Sequence, residues 1–472
     1  MKNDPAPSGR GASISNRLIM SGHHAIATKT FAHGIHPPEN KGETSGISIR
    51  RFPFAPVMII PLSQHTGAPA KAIVREGQEV VRGQKIAEPG GFVSVAMHSP
   101  ASGVVERIGL APSSMGKMIP SIYIRPYPGS SQEVSEGTPC HIETASKKEI
   151  IAAIQDAGIV GLGGAAFPTH VKLSITEPKH VDTVIINGVE CEPWLTTDHR
   201  VMLEQIDDIV LGIRYILKAT GAEHAIIGIE ANKPDAAKAL EAACPSDKPF
   251  SVELVKVKYP QGAEKMLIKA LLGREVPSGG LPVDVNVVVQ NIATTAEMGR
   301  LLPHGRGIME RVITITGPGV KKKGNYLIPI GTPLRFALDY VGLTDDVSQV
   351  FLGGPMMGQA LSSLDIPITK GTSGVVAFTQ NEKALSEQKV YPCIRCGHCV
   401  DACPMFLNPT RMGTLARNGA YELMEEKFHL WDCFECGACS YICPSHIPLV
   451  QYFRTSKVML RERKEREKKA AS

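Results

Sequence analysis

The spacing of apolar residues changes character along the chain and divides it. From 55 to 126, short apolar stretches alternate with polar residues, and Gly77, Gly83 and Gly103 fall where turns are needed. This predicts half-buried strands joined by tight turns. From 146 to 302 the period lengthens. Continuous β-branched runs recur at 181–186, 225–229, 252–257 and 285–289, separated by helical patterns of which the longest covers 202–217. Such runs read as strands buried on both faces, and their alternation with helices predicts an α/β layout around a largely parallel sheet. The first helix has a start signal, Ser146 with Glu149 three residues on, and a stop at Gly158. Between 311 and 378 short strands return, with one helix near 333–340. Past 391, helical spacing marks 409–417 and 420–427, and a charged helix over 456–469 closes the chain. The expected division is an arm without fixed structure at 1–45, a small β module at 46–128, an α/β domain at 129–310, a second β module at 311–380, a cysteine-rich helical domain at 381–455 and a basic tail at 456–472.

Composition adds little to this picture. The 472 residues are 43% hydrophobic and 21% charged, ordinary for a globular protein. The net charge is +5, and seven basic against three acidic residues between Lys457 and Lys469 account for most of it. The remainder is near neutral, which removes the electrostatic footprint of a nucleic-acid partner. No run approaches the roughly 18 apolar residues of a spanning helix, and the N-terminus lacks the apolar centre of a secretory signal. Adjacent His23 and His24 in the polar arm read as solvated side chains.

The cysteines change the picture. Eight of eleven lie between 393 and 443, in two runs of identical spacing, Cys393-x2-Cys396-x2-Cys399-x3-Cys403-Pro404 and Cys433-x2-Cys436-x2-Cys439-x3-Cys443-Pro444. This is the spacing of a [4Fe–4S] ferredoxin, in which three thiolates of one run hold a cube and the fourth reaches over to the other. The expected ligand sets are Cys393, Cys396, Cys399 and Cys443 for one cluster, and Cys433, Cys436, Cys439 and Cys403 for the second. Zinc also accepts four thiolates, but normally from two separated CxxC knuckles. Cys140, Cys191 and Cys244 read as small buried residues. The 29 residues between the runs are too many for a compact hairpin connection and predict helices around the clusters.

A glycine-rich stretch, Gly161-Leu162-Gly163-Gly164-Ala165-Ala166-Phe167-Pro168-Thr169-His170-Val171-Lys172, follows a helix rather than a strand, so it is not a GxGxxG dinucleotide fingerprint. Its amides can still wrap a phosphate. GLGGAAFPTHVK resembles the flavin- and NADH-binding loop of the respiratory complex I 51-kDa subunit family. Two further stretches match that family in order: IINGVECEP at 185–193 with Asp198 and Arg200, and YPQGAEK at 259–265 with Gln290-Asn291. The stretch VREGQEVVRGQKIAE…MHSPASGVVERIG resembles a lipoyl/biotinyl barrel-sandwich hybrid. The hairpin tip there, Phe92–Met97, holds no lysine to modify, so neither lipoate nor biotin is expected. Segment 311–378 resembles a β-grasp SLBB module.

These modules in this order resemble the RnfC (RsxC) family, over roughly residues 45–455. The resemblance implies a multidomain α/β and α+β protein: a barrel-sandwich hybrid, an α/β flavin/NADH-binding domain, an SLBB module and an α-helical 2[4Fe–4S] ferredoxin domain. It implies FMN, two [4Fe–4S] clusters and NADH/NAD+ as substrate. Gly161, Gly163, Gly164 and Lys172 would contact phosphates; Asn187, Glu190 and Asn291 would bond FMN; Glu192 and Glu264 would face the nicotinamide nucleotide. Ala166 stands where complex I relatives commonly have glycine, and Gln261 near a position often cysteine. The implied role is a peripheral subunit of an Rnf/Rsx-type complex on the cytoplasmic face of the bacterial inner membrane, coupled to Na+ or H+ movement. Its expected partners are the other subunits, including a ferredoxin-like one. The rivals are a flavin and iron–sulfur cobalamin reductase, and a cluster-holding scaffold without NADH activity. The roughly 145 residues ahead of the glycine loop argue against the first, and the intact loop and acidic segment against the second.

Overall fold

The computed structural model describes residues 29–244, 250–386 and 388–471. The four β-branched runs form an all-parallel sheet of Thr183–Gly188, His224–Glu230, Phe250–Val255 and Val287–Asn291. Their spatial order is third, second, first, fourth. Helices cover the sheet, among them Lys147–Asp156, Ile206–Thr220, Glu264–Leu272 and Ile292–Leu301. The expected capping box is present, with Ser146 Oγ accepting from the Glu149 amide and Glu149 Oε2 from the Ser146 amide. Gly158 adopts φ +73° just past the helix end. The long helical pattern at 202–217 is broken at Gln205 (φ −130°), and a second helix starts with Asp207 and Asp208 in its first turn, where carboxylates favour an N-terminus.

The hybrid is two small sheets. One joins Met58–Pro61, Met118–Pro126, Gly103–Pro112 and Glu79–Val80, the other Lys71–Ala72, Lys85–Glu88 and Met97–His98. Met58, Ile60, Ile86, Met97, Val105, Ile122 and Ile124 fill the space between them. The lysine-free tip is turned onto the flavin domain. There Gln155 Nε2 donates to Ser94 O (3.1 Å), and His170 Nε2 lies 2.7 Å from Phe92 O. The SLBB module is a six-stranded sheet with the helix Leu334–Val341 against it. From 388 on, the described residues form helices and no strands: Pro409–Arg417, Tyr421–Phe428 and Leu449–Ala471, with one-turn helices at His398–Asp401 and Ala438–Tyr441.

Three expected boundaries shift. His23 and His24 lie outside the described residues, but 29–45 is a strap that crosses three domains. Phe31 and Ile35 are buried, Ile35 exchanges backbone bonds with Tyr259, and Gly34 N donates to Ala402 O. The arm's polar composition concealed these two apolar anchors. Arg50–Arg51 pairs with Gly324–Pro329 and so belongs to the SLBB sheet, with Phe52 in that module's core. The closing helix starts at Leu449, not 456, because Phe453 and Leu460 sit in the ferredoxin core.

The helices Ile206–Thr220 and Ile292–Leu301 touch through glycine. A Cβ on Gly299 would lie 1.9 Å from Asp208 O, and one on Gly212 1.9 Å from Thr295 O. Gly299→Val should therefore force the helices apart at a cost of about 2–3 kcal/mol, read as a lowered melting temperature. A melting point equal to that of the unaltered protein would show that the two helices separate freely.

Candidate functional site

The carboxyl ends of Thr183–Gly188 and Val287–Asn291 open into a cavity of about 460 Å3. These strands are parallel neighbours with Asn187 opposite Asn291. The chain leaves the first strand toward one sheet edge and returns with the last on its other side. Open α/β sheets bind ligands at such switch points.

Of the residues expected at the nucleotide site, Gly163, Asn187, Glu190, Glu192, Glu264 and Asn291 line this cavity. Asn187 Nδ2 donates to Gly262 O (2.8 Å), while its Oδ1 accepts from the Val189 amide. The Glu190 carboxylate accepts from the amides of Asp198 (2.7 Å) and His199 (3.2 Å) and so caps the helix Thr197–Glu204. Asn291 Nδ2 donates to Asp198 Oδ2 (2.8 Å), and its Oδ1 caps its own helix at Thr294. Gly161, Gly164 and Lys172 stand back from the cavity. Gly161 closes the glycine loop through bonds with Phe167 and Ala166. Gly164 supplies φ +107° at its tip, and Ala166 takes a left-handed φ of +48°, a conformation that glycine adopts without strain. Lys172 binds Glu264 Oε2 (2.6 Å) and Val289 O (2.9 Å) rather than facing the space. Glu192 also departs from its expected role. Its carboxylate accepts from the amides of Met356 (3.2 Å) and Met357 (2.6 Å) in the SLBB module.

Several lining residues were not assigned from the sequence. Asp198 and Tyr259 stood in quoted motifs without a role. Cys191, read as a buried filler, faces the cavity, its thiol accepting from the Gly262 amide. Met357, Ser373, Trp431 and Phe434 come from the SLBB and ferredoxin domains, and no local pattern announces them.

The donor set suits a flavin nucleotide. The amides of Gly163, Gly164 and Ala165 have no backbone partner among the described residues. Gly163 lines the cavity beside Asn291, whose side chain a Cβ there would just touch at 3.4 Å. The Gly163 backbone, the carboxamides of Asn187 and Asn291 and the acids Glu190, Asp198 and Glu264 stand around one space, with the Gly164 and Ala165 amides behind it on the loop.

Cys393, Cys396, Cys399 and Cys443 line a second cavity, of about 250 Å3. Cys403, Cys433, Cys436 and Cys439 line a third, walled by Phe434, Val450 and Phe453. The fourth cysteine of each run thus lies with the other run's three. The runs fold alike, with left-handed residues at Arg395 and Glu435, Gly397 and Gly437, and Phe406 and His446. Such turns gather amides into a nest around sulfur. Phe434 walls both the third cavity and the flavin cavity, and Tyr259 Oη, from the flavin wall, donates to Cys436 O (2.6 Å).

Burial carries the Glu192 and Asp198 carboxyls up to about 7, with neighbouring Glu190 adding to the rise at Asp198. The folded protein then holds protons that the unfolded chain releases near pH 4. The stability these two groups contribute therefore falls as pH rises from about 4 to 7 and levels off above. Asp198→Asn should flatten this slope between pH 5 and 7 in denaturation of flavin-free protein. An unchanged slope would place the carboxyl in a solvated setting.

The modules match known family models in the order of the fold: the RnfC barrel sandwich hybrid domain at 29–127, the Nuo51 FMN-binding domain at 154–300, the SLBB domain at 312–360 and a 4Fe-4S dicluster domain at 389–447. The chain is 43% identical over 443 residues to a subunit of the proton-translocating ferredoxin:NAD(+) oxidoreductase complex of Clostridium ljungdahlii, covering 93% of this chain and 96% of that one. It is 40% identical over 397 residues to a subunit of the Na(+)-translocating ferredoxin:NAD(+) oxidoreductase complex of Acetobacterium woodii, covering 84% and 89%. Against a subunit of the ion-translocating oxidoreductase complex of Rhodobacter capsulatus it is 38% identical over 447 residues, 94% of this chain and 85% of that one. With this likeness running through all four modules, the chain belongs to the RnfC family of ion-translocating oxidoreductase complex components.

Proposed function

We propose that this chain is the peripheral electron-transfer subunit of an ion-translocating NAD:ferredoxin oxidoreductase complex, handling electrons between NADH, FMN, two [4Fe–4S] clusters and partner subunits. The adjacency of the three cavities carries the reading. The flavin cavity abuts the Cys403/Cys433/Cys436/Cys439 cavity across Phe434 and the Tyr259–Cys436 bond, and the Cys393/Cys396/Cys399/Cys443 cavity lies at the surface, where Cys393 and Cys396 are exposed.

FMN, when bound, supplies chemistry that side chains lack: it accepts the two electrons of a hydride and exchanges them singly. The protein's part is placement. The Gly163–Ala165 amides would take the phosphate, on a loop that Gly161 and Gly164 shape. Asn187 and Asn291 would orient the flavin between the two strand ends. Glu190 and Asp198 would offer acceptors to its hydroxyls and N–H groups. Glu264, held by Lys172, would stand beside the nicotinamide nucleotide, while Glu192, bonded to the Met356 and Met357 amides, would fix the SLBB loop at the cavity's edge. Trp431, Phe434 and Met357 line the cavity from the neighbouring domains and would give the flavin apolar surfaces to pack against.

No described helix is long and apolar enough to cross a membrane, and attachment to the cytoplasmic face of the inner membrane belongs to contacts with partner subunits. Support comes from the hybrid, whose long hairpin ends in exposed Leu110, Met115 and Met118. The basic helix contributes less, since Arg463 and Lys464 are already paired with Glu422 and Glu425. Met115→Asp should release the subunit from washed membranes carrying its partners, while removal of residues 462–472 should not. The reverse pattern would assign docking to the tail.

The central test is cofactor content with activity. Anaerobically reconstituted protein should hold about eight iron atoms and noncovalent FMN, and should reduce a dye from NADH. Cys403→Ala should disturb the cluster of Cys433, Cys436 and Cys439 and leave the spectroscopic signature of the other. Bound zinc without sulfide, or loss of only the Cys393 cluster, would sink the assignment.

A further inference from the structure

Behind the flavin cavity, one buried cation has no part in the scheme above. Lys41, on the strap, sends its ammonium into the back of the acidic segment 189–196. Its Nζ donates to the carbonyls of Glu190 (2.9 Å), Glu192 (2.9 Å) and Leu195. Those three bonds use all three donors of an ammonium. The side chain is buried, and among the described residues it bonds no carboxylate. Lys233, on the same segment, instead divides itself between Val189 O and the Glu230 carboxylate.

The segment is a thin wall. On one side Glu190, Cys191 and Glu192 line the flavin cavity. On the other a separate cavity of about 260 Å3 is lined by Lys41, Cys191, Glu230 and Tyr259. A wall without packing behind it does not hold its own shape, and this one contains two non-glycine residues with left-handed backbones, Glu190 (φ +49°) and Trp194 (φ +72°). Such conformations persist only where their surroundings over-determine them. Lys41 gathers three carbonyls to one point, and the Trp194 amide donates to Glu39 O, two residues earlier on the strap. Beyond Lys41 the strap is fastened to the SLBB module by Asn325 Nδ2 on Thr44 O and by the Lys323–Glu43 pair. Thr196, at the end of the wall, also donates to Thr44 Oγ1 (2.8 Å), so strap, wall and SLBB module are tied together beside the lysine.

We propose that Lys41 is a positioning residue for the flavin–nicotinamide exchange. By drawing the carbonyls of 190, 192 and 195 to the rear, it fixes the course of the segment whose Glu190 and Cys191 line the cavity and whose Glu192 reaches the SLBB loop at its edge. The inference rests on the proposed function, and goes beyond it in giving the N-terminal strap a part in the reaction.

The test compares Lys41→Met, Lys41→Arg and Glu43→Gln in the full chain, reconstituted with iron, sulfide and FMN. Lys41→Met should raise the FMN dissociation constant or the KM for NADH about tenfold, with iron content and cluster spectra those of the unaltered protein. Lys41→Arg keeps the charge, but its planar fork does not direct three donors from one nitrogen; it should show a smaller change in the same direction. Glu43→Gln loosens the strap without touching the wall and should leave both constants in place. Should Lys41→Met fail to fold, Lys41→Arg decides. Unchanged constants in the folded lysine variant, or equal effects from Glu43→Gln, or parallel loss of iron and FMN, would reduce Lys41 to a staple and overturn the proposal. Absence of NADH-dependent reduction in the unaltered protein would instead count against NADH as substrate.

Discussion

A buried carbonyl must find a donor, and the segment 189–196 carries several that no helix or strand can satisfy. It leaves the sheet at Gly188, runs without regular structure beneath three other modules, and begins a helix only at Thr197. Val189 O goes to Lys233, and the carbonyls of 190, 192 and 195 go to Lys41. The side chains face the same accounting. Glu190 caps a helix of its own domain, and Glu192 caps amides in the SLBB loop. Every donor set is therefore fixed by a different part of the chain, and the cavity wall exists only when all of them are assembled. At the same crossing Ile35 of the strap, Tyr259, Ala402 and Ala438 form a small apolar core against Met356 and Cys436, which joins flavin wall and cluster loops directly.

The same preference for cation on carbonyl recurs where hybrid, flavin domain and SLBB module meet. Arg311 is buried and donates to Leu162 O in the glycine loop and to Lys370 O. Lys370, also buried, donates to Ala96 O of the hybrid and Gly158 O of the flavin domain, and burial carries its ammonium down to about 7. Buried ion pairs would be costly to lose but add little net stability. A cation spread over carbonyls from two or three modules ties their backbones together without introducing a second charge. The modules consequently have no loose joints at the site, and the lysine-free tip of the hybrid is one of these joints rather than a swinging carrier.

What could be read from the sequence was whatever is local. The four strands, the capping box, the helices at 409–417 and 421–428 and the paired cysteine runs are each specified by residues a few positions apart, and each was legible. Six residues named from strand ends and quoted motifs also line one cavity, while their roles toward a ligand belong to the proposal. Illegible were interactions set by neighbours well over a hundred positions away: Lys41 on the acidic segment, Met356 and Met357 on Glu192, Phe434 on the flavin wall. Lys172 shows the same limit from the other side. Its place after a glycine loop suggested a phosphate, but Glu264, 92 residues on, holds it. The strap was hidden because its two apolar anchors, Phe31 and Ile35, sit in a background of glycine, proline and histidine that carries no periodicity.

The two cluster sites are equivalent in sequence yet not in surroundings, and the difference has consequences for electrons. Reducing a cube adds negative charge, which burial opposes and nearby positive charge favours. At the inner site Cys403 and Cys439 are buried, and Phe434, Val450 and Phe453 keep solvent back. Compensation there has to come from fixed charge. The helix Leu449–Ala471 supplies it, with Lys457 donating to Cys433 O and, together with Arg454, pairing with Glu435 beside the same cysteine loop. At the outer site Cys393 and Cys396 are exposed, and water can respond to the added charge directly. A cube held at the inner site would thus be tuned by the protein, and one at the outer site by solvent. The closing helix, which the sequence offered as a basic tail, would have its first half in this role, as the counter-charge of a cluster beside the flavin cavity.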